Sequence, residues 1–356
     1  MSAEVPHLSD IEQDMRKAFA TVSEQRTRIR SEAAQKLPQI ELVPFQLCDG
    51  PTEIVAIDGS YSPLFRTGSI WIVAVRAVAL AYEYGDTQAY ALKGCDVNEA
   101  AQLVTTDRTI ASQVGGFTAE LQSLTARGRA RSEAPARMAR YSRILRELEL
   151  AAWVAKRRER ITIVLDGTFA VPPHVAIKTK MEETINACEQ NGNSLVGVSK
   201  DSNATLFGCS MGDEELLQHV KKEGLLYAVP PQPRLTTLRP QGTTYFVKYH
   251  PEAPKWFRTD IISPQLDPAT LFGRLAQFAR SQICLGYVYP LVEAHRAAVE
   301  LRKVPKLYDD LLFKVAGDAG LDASEVVWGR TNVDGKRRDA FHAYLDLISK
   351  TGERKR

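Results

Sequence analysis

Asp58 and Asp166 each close a run of apolar residues, and each is followed by glycine and a hydroxyl residue, in EIVAIDGSY and ITIVLDGT. A continuously apolar run of this length reads as a buried strand, and the Asp-Gly that follows reads as its end. Each carboxylate is therefore expected at the carboxyl-terminal rim of a strand, where α/β sheets gather ligands. Two carboxylates on neighbouring strands repel each other unless a divalent cation sits between them. One Asp-Gly alone makes an ordinary tight turn; two of matching form point to metal chemistry.

Phosphodiester hydrolysis with two ions needs further carboxylates, because the ions must clamp both the attacking water and the leaving oxygen. Glu147 and Glu149 precede the second strand on a helical segment, RYSRILRELELAAWVAK. Residues two apart face different ways on a helix, so one of them is expected at the site. Glu147, at the edge of the apolar stripe, is the choice over Glu149, which is flanked by Arg146 and Trp153. His250 ends the alternating run TTYFVKYH and is a candidate metal ligand or proton carrier. Lys200 and Ser202, in VGVSKDS, end another strand and can reach a phosphate.

The elements that must hold these residues follow in order. Residues 8–36 open with a Ser-x-x-Glu capping box and form a long polar helix or helix pair, which needs a neighbour to pack on. Two prolines and a Cys-Asp-Gly-Pro turn break the pattern over 37–52. After EIVAIDGSY come strands at 69–82 and 87–97, joined by EYGD as a hairpin. From Asn98 to Arg160 the composition turns to Ala, Leu, Arg and Glu, with an amphipathic helix before the strand at 161–168. A helix is expected over 171–193, then a strand over 194–200. This order defines an α/β fold with a mixed sheet flanked by helices, and it is the order of the RNase H-like fold. Further on, a helix is expected at DEELLQHVKKEG, strands at 243–250 and 256–262, and helices at 267–284 and 288–303. The segment 304–356 reads as polar and helical.

With 44% hydrophobic and 25% charged residues, the chain is an ordinary folded protein and not a disordered one. No apolar run is long enough for a membrane span, and the amino terminus lacks the pattern of a signal peptide, so a cytoplasmic protein without membrane attachment is expected. The five cysteines are scattered, without a CxxC pair or an even count, and are expected to be buried thiols. A net charge of +3 conceals basic clusters at 126–143, 156–160, 335–338 and 353–356. Such clusters can neutralise nucleic-acid phosphates without reading sequence. No GxxxxGK[ST] loop is present, so any use of ATP belongs to a partner.

IVAIDGSY, a helical Glu before VLDGT, LVGVSKDS, the strand ending at His250, and LGYVYPLVEAHRAA with Gly286, Tyr287, Pro290, Leu291 and His295 together resemble the NurA nuclease family. The ordered motifs span 54–298, with Thr168 where Ser is usual. The resemblance implies an RNase H-like nuclease domain over 51–300, with an N-terminal helical region (1–50) and a C-terminal extension and basic tail (301–356). It also implies Mn²⁺- or Mg²⁺-dependent cleavage of DNA, 5′ to 3′ exonuclease and single-strand endonuclease activity, a homodimer, and a HerA-type hexameric ATPase as partner in DNA end resection. By the same resemblance Asp58, Glu147, Asp166 and His250 hold two ions and Lys200 lies beside the scissile phosphate. An RNase H-like nuclease acting on RNA or branched DNA, or a catalytically silent adaptor between DNA and a motor, are the alternatives. Two mutually repelling carboxylates argue against the silent adaptor.

Overall fold

The structure, a computed structural model, describes residues 8–67, 70–85, 89–105, 130–169, 174–220, 222–231, 242–263, 265–303 and 309–322. The chain divides into two compact units, one comprising 1–48, 198–260 and 267–287, the other 49–197, 261–266 and 288–356. The fold is the expected α/β arrangement with helices packed on a mixed sheet.

The second unit carries both Asp-Gly sequences. Three long strands, β2 (Thr52–Thr67), β3 (Ile70–Tyr84) and β4 (Tyr90–Thr105), form an antiparallel meander. β5 (Thr162–Asp166) then pairs in parallel with β2, and the strand order in this unit is β6-β5-β2-β3-β4, with β6 at Ser194–Ser199. Helix α2 (Ala130–Ala155) connects the meander to β5, and α3 (Val175–Gln190) connects β5 to β6. The parallel pair β2 and β5 cannot be joined by a tight turn, and β3, β4 and α2 lie between them in the chain.

Alternation along β3 sorts the helices onto opposite faces. Trp71, Val73 and Val75 pack against Met138 and Ala139 of α2. Ala74 meets Leu301, and Arg76 donates to the Ala297 carbonyl, at the far end of α6 (Tyr289–Val299). Successive strand residues point to opposite sides, so α2 covers one face and α6 the other.

The other unit is built on β1 (Glu41–Pro44), β7 (Leu226–Val229), β8 (Thr243–Lys248) and the start of β9 (Phe257–Ser263), in the order β1-β7-β8-β9. Its core gathers Ala33 of α1 (Leu8–Lys36) with Phe207, Leu216, Leu226, Phe246 and Trp256. Phe272 of α5 (Pro268–Gln277) stands edge-on to Phe45, Tyr227 and Tyr245, and Asp267 caps that helix by accepting from the Thr270 N–H. Of α1, Ile29 and Ala33 pack on this core, whereas Ile11, Met15, Phe19 and Val22 remain exposed.

Several local expectations are corrected. Residues 98–105 stay in β4 because β3 offers a ladder partner as far as Ile70, which outweighs the weak strand preference of Asn, Ala and Gln. β1 and β7 were hidden by their prolines, which lie at strand ends: Pro44 pairs with Leu226 and Pro230 follows β7. The helix expected from Asp213 is a short α4 (Asp213–Leu217). Of the cysteines, expected to be buried, Cys95 is exposed on the edge strand β4, Cys48 and Cys284 are half-buried, and only Cys188 and Cys209 are buried. Of the carboxyl-terminal extension, α7 (Asp309–Asp318) is helical, and the basic clusters at 335–338 and 353–356 lie outside the described residues. No helix among the described residues is long and apolar enough to cross a membrane.

Candidate metal centre

The register of two strands brings the aspartates together. β2 and β5 pair from Ile54↔Thr162 to Ile57↔Leu165, so Asp58 and Asp166 are the next residues on adjacent parallel strands and point to the same side. β5 ends at Asp166, whereas β2 continues to Thr67. The step between them leaves a notch beside Asp58. Gly167 leaves β5 with φ +124°, a conformation that a side chain resists. A Cβ on Gly197 would stand 2.6 Å from the Gly167 carbonyl, so β6 needs glycine there to let the turn after Asp166 lie close.

Antiparallel partners share a face. The pair Asp58↔Val78 turns Asp58 towards α6, and Gly59↔Ala77 turns Gly59 towards α2. From α6, His295 reaches Asp58 with Nδ1 2.6 Å from Oδ2. The Gly59 N–H donates to Asp58 Oδ1 at 2.7 Å. Asp58 itself is buried, 2% exposed. Burial first, then the charge of Asp166, raise its carboxyl above the ordinary aspartate value, against the opposing hydrogen bonds of His295 and Gly59 and the charge of Arg143.

From the other face, α2 inserts Glu147 and Arg143, one helical turn apart. A Cβ at position 59 would lie 2.6 Å from Glu147 Oε1, so the glycine of the first Asp-Gly makes room for this carboxylate. Arg143 Nη1 lies 2.9 Å from Glu147 Oε1 and 3.6 Å from Asp58 Oδ1, and it donates to the Gly59 carbonyl at 3.4 Å. Although close to Arg143, Glu147 Oε1 accepts no hydrogen bond of good geometry. Burial pushes the Glu147 carboxyl up to about 8; Arg143 opposes this, while Asp58 and Asp166 add to it.

Asp58, Asp166 and His295 each offer a ligand atom, all within 4.8 Å of one another, and form the only such group of three among the described residues. They line a cavity of about 430 Å³ with Gly59, Ser60, Tyr61 and Arg143. Two carboxylates and one imidazole are donors that a divalent cation takes. A buried carboxylate shifted towards its neutral form by desolvation and by a like charge is one that a cation would return to its anionic form. The residues present therefore fit a metal.

Of the residues expected from sequence, Asp58, Glu147 and Asp166 converge here. Glu149 turns elsewhere, pairing with Arg146 at 2.8 Å and accepting from Asn98. Lys200 and His250 belong to the other unit. There, Lys200 Nζ lies 5.8 Å from the centre of the Tyr287 ring, and its carbonyl accepts from Lys255. His250 Nδ1 accepts from the Glu252 N–H at 3.2 Å, and Ser202 Oγ accepts from the Ala204 N–H at 3.2 Å. In the basic segment 126–143, residues 126–129 lie outside the described part, Arg140 is exposed, and Arg143 turns inward to the carboxylates. Sequence reasoning gave His295 no ligand role and placed Arg143 only in a phosphate-holding cluster. For Arg143 the signal was its position four residues before Glu147, on the same helical face. For His295 no periodicity reveals that α6 lies over Asp58.

Comparison with known proteins agrees with this architecture. The NurA domain matches residues 52–300, and the chain belongs to the NurA family. Its fold resembles the crystal structure of the NurA nuclease from Sulfolobus solfataricus, with TM-score 0.56 and 16% identity over 86% of this chain and 97% of that one. A second NurA crystal structure aligns with TM-score 0.53 and 11% identity over 88% of this chain and 99% of the other. No match was found among curated proteins.

Proposed function

We propose that the chain is a metal-dependent deoxyribonuclease, hydrolysing DNA phosphodiester bonds with Mn²⁺ or Mg²⁺ at Asp58, Asp166 and His295. The observation that carries this reading is the meeting, within 4.8 Å, of ligand atoms from two strand rims and a helix of the opposite end of the chain. A divalent cation held by such donors supplies Lewis acidity to a phosphoryl oxygen and makes water more acidic. The chain's own residues supply the rest. Before an ion binds, His295 holds Asp58 through the Nδ1–Oδ2 contact, Glu147 adds a third carboxylate, and the open cavity admits a phosphate beside Ser60 and Tyr61.

Membership of the family extends the reading to 5′ to 3′ exonuclease and single-strand endonuclease activity, a homodimer, and action with a HerA-type hexameric ATPase in DNA end resection, within the cytoplasm. The nuclease domain is assigned to 51–300, with helical additions on either side. Lys200 and His250 keep, as separate assignments, the phosphate-facing and metal- or proton-carrying roles that the resemblance implies.

The test is incubation of the purified chain with end-labelled single- and double-stranded DNA and RNA, in Mn²⁺, Mg²⁺ or EDTA, beside Asp58→Ala and Asp166→Ala. Metal-dependent DNA cleavage lost in both variants is expected. Activity that survives EDTA, or equal activity in the variants, would remove the proposal. Lys200→Ala and His250→Ala, run in parallel, test those two assignments independently.

A further inference from the structure

The three carboxylates do not share one environment. Asp58 and Asp166 stand with His295 as a ligand group, and Glu147 is not a member of it. Glu147 is instead held against Arg143, whose Nη1 faces Glu147 Oε1 at 2.9 Å, Asp58 Oδ1 at 3.6 Å and the Gly59 carbonyl at 3.4 Å. Two carboxylate oxygens and a carbonyl around one point is an oxygen environment that a hard cation takes. Here the point is occupied by a guanidinium nitrogen.

Charge supports the same assignment. Arg143 Nη1, 2.9 Å from Glu147 Oε1 and 3.6 Å from Asp58 Oδ1, already places one positive charge between the two carboxylates. A second divalent ion beside Glu147 would stand against Arg143, and like charges that close are strongly unfavourable in a buried site. Arg143 cannot shed its charge to make room, since a guanidinium stays protonated.

We infer that Arg143 is the second cation of this site: one divalent ion is bound by Asp58, Asp166 and His295, and the guanidinium occupies the position beside Glu147 that a second ion would take. This rests on the metal-dependent reading above and sharpens it to a one-ion site. Arg143 also lines the cavity. A guanidinium has five N–H donors, more than its contacts with Glu147, Asp58 and Gly59 use. An incoming phosphate therefore meets Arg143 as a forked donor, and Glu147 serves to position that fork without being a metal ligand.

The experiment counts ions without measuring cleavage. Mn²⁺ binding to the purified chain is followed by electron paramagnetic resonance and calorimetry, with Asp58→Ala, Glu147→Gln, Arg143→Ala and Arg143→Lys alongside. One tight ion per chain is expected in the natural chain, in Glu147→Gln and in Arg143→Lys, none in Asp58→Ala, and a second ion in Arg143→Ala. Two ions in the natural chain, falling to one in Glu147→Gln, would overturn the inference while leaving the metal-dependent reading intact. So would a folded Arg143→Ala that still binds one. No ion in the natural chain would overturn both. The natural chain and Glu147→Gln decide the matter even where Arg143→Ala fails to fold.

Discussion

His295 Nδ1 lies 2.6 Å from Asp58 Oδ2, joining two residues 237 positions apart in the chain. The contact has two exclusive uses. With Nδ1 protonated, the imidazole donates to the carboxylate; with a cation present, both atoms can turn lone pairs towards it. Replacing the imidazole should therefore weaken metal binding before it affects folding, because the side chain is nearly half exposed. His295→Ala is expected to lower Mn²⁺ affinity by at least about tenfold, the scale on which groups around a metal act. Calorimetric titration checks this; unchanged affinity would take His295 out of the ligand set.

Gly59 and Glu147 are coupled sterically. In Gly59→Ala the new methyl would meet Glu147 Oε1 at 2.6 Å, so the helix side chain must move. A loss of about 1–3 kcal/mol is expected from this overpacking, with a fall in activity. Urea denaturation of the single variants and of Gly59→Ala/Glu147→Ala measures the coupling. The glycine substitution should cost distinctly less once Glu147 is shortened.

Without metal, stability should depend on pH through Glu147. Its carboxyl titrates at about 8 in the folded chain, against 4.5 as the ordinary value, because burial disfavours the charge. The folded state thus holds a proton that the unfolded chain has released. The stability this contributes is complete below about 4.5, declines as pH rises, and is lost above about 8. In EDTA, Glu147→Gln should flatten that decline and gain on the natural chain with rising pH, by on the order of a few kcal/mol at alkaline pH. Denaturation curves at pH 5, 7 and 9 give the slope; parallel profiles would contradict it.

Asn193 ties the end of α2 to the start of β5. It is fully buried, and its Oδ1 accepts from the Ile161 N–H at 3.0 Å. Its Nδ2 donates to the carbonyls of Ala155 at 3.1 Å and Arg158 at 2.8 Å. Asn193→Ala takes this partner from all three groups, of which the Ala155 carbonyl keeps Asn191 Nδ2 as a donor, and a loss of roughly 1–3 kcal/mol is expected. Equilibrium unfolding in urea checks the value, and a change within about 0.5 kcal/mol would show that water replaces the side chain.

Much of this architecture is legible in the residues themselves. The apolar runs before Asp58 and Asp166 read as buried strands, and the order of strands and helices around them leads to the α/β fold. Glu147 was reachable because helix geometry separates it from Glu149. What stayed hidden depends on distance in three dimensions. No local pattern says that α6 lies over β2, so His295 could be read as part of a motif but not as a neighbour of Asp58. Arg143 was masked by its company, since one arginine in a cluster of them reads as surface charge until it is seen to turn inward. β1 and β7 escaped because proline argues against a strand everywhere except at its ends and edges.

The placement of α6 carries a consequence in time. Asp58 and Asp166 are synthesised early, but the imidazole that completes their ligand group arrives only with residue 295. A chain still emerging from the ribosome, or one cut before Tyr289, carries both aspartates yet holds only two of the three ligands. The cutting centre is thus assembled last, from the part of the domain made last, and an unfinished copy lacks the means to close it.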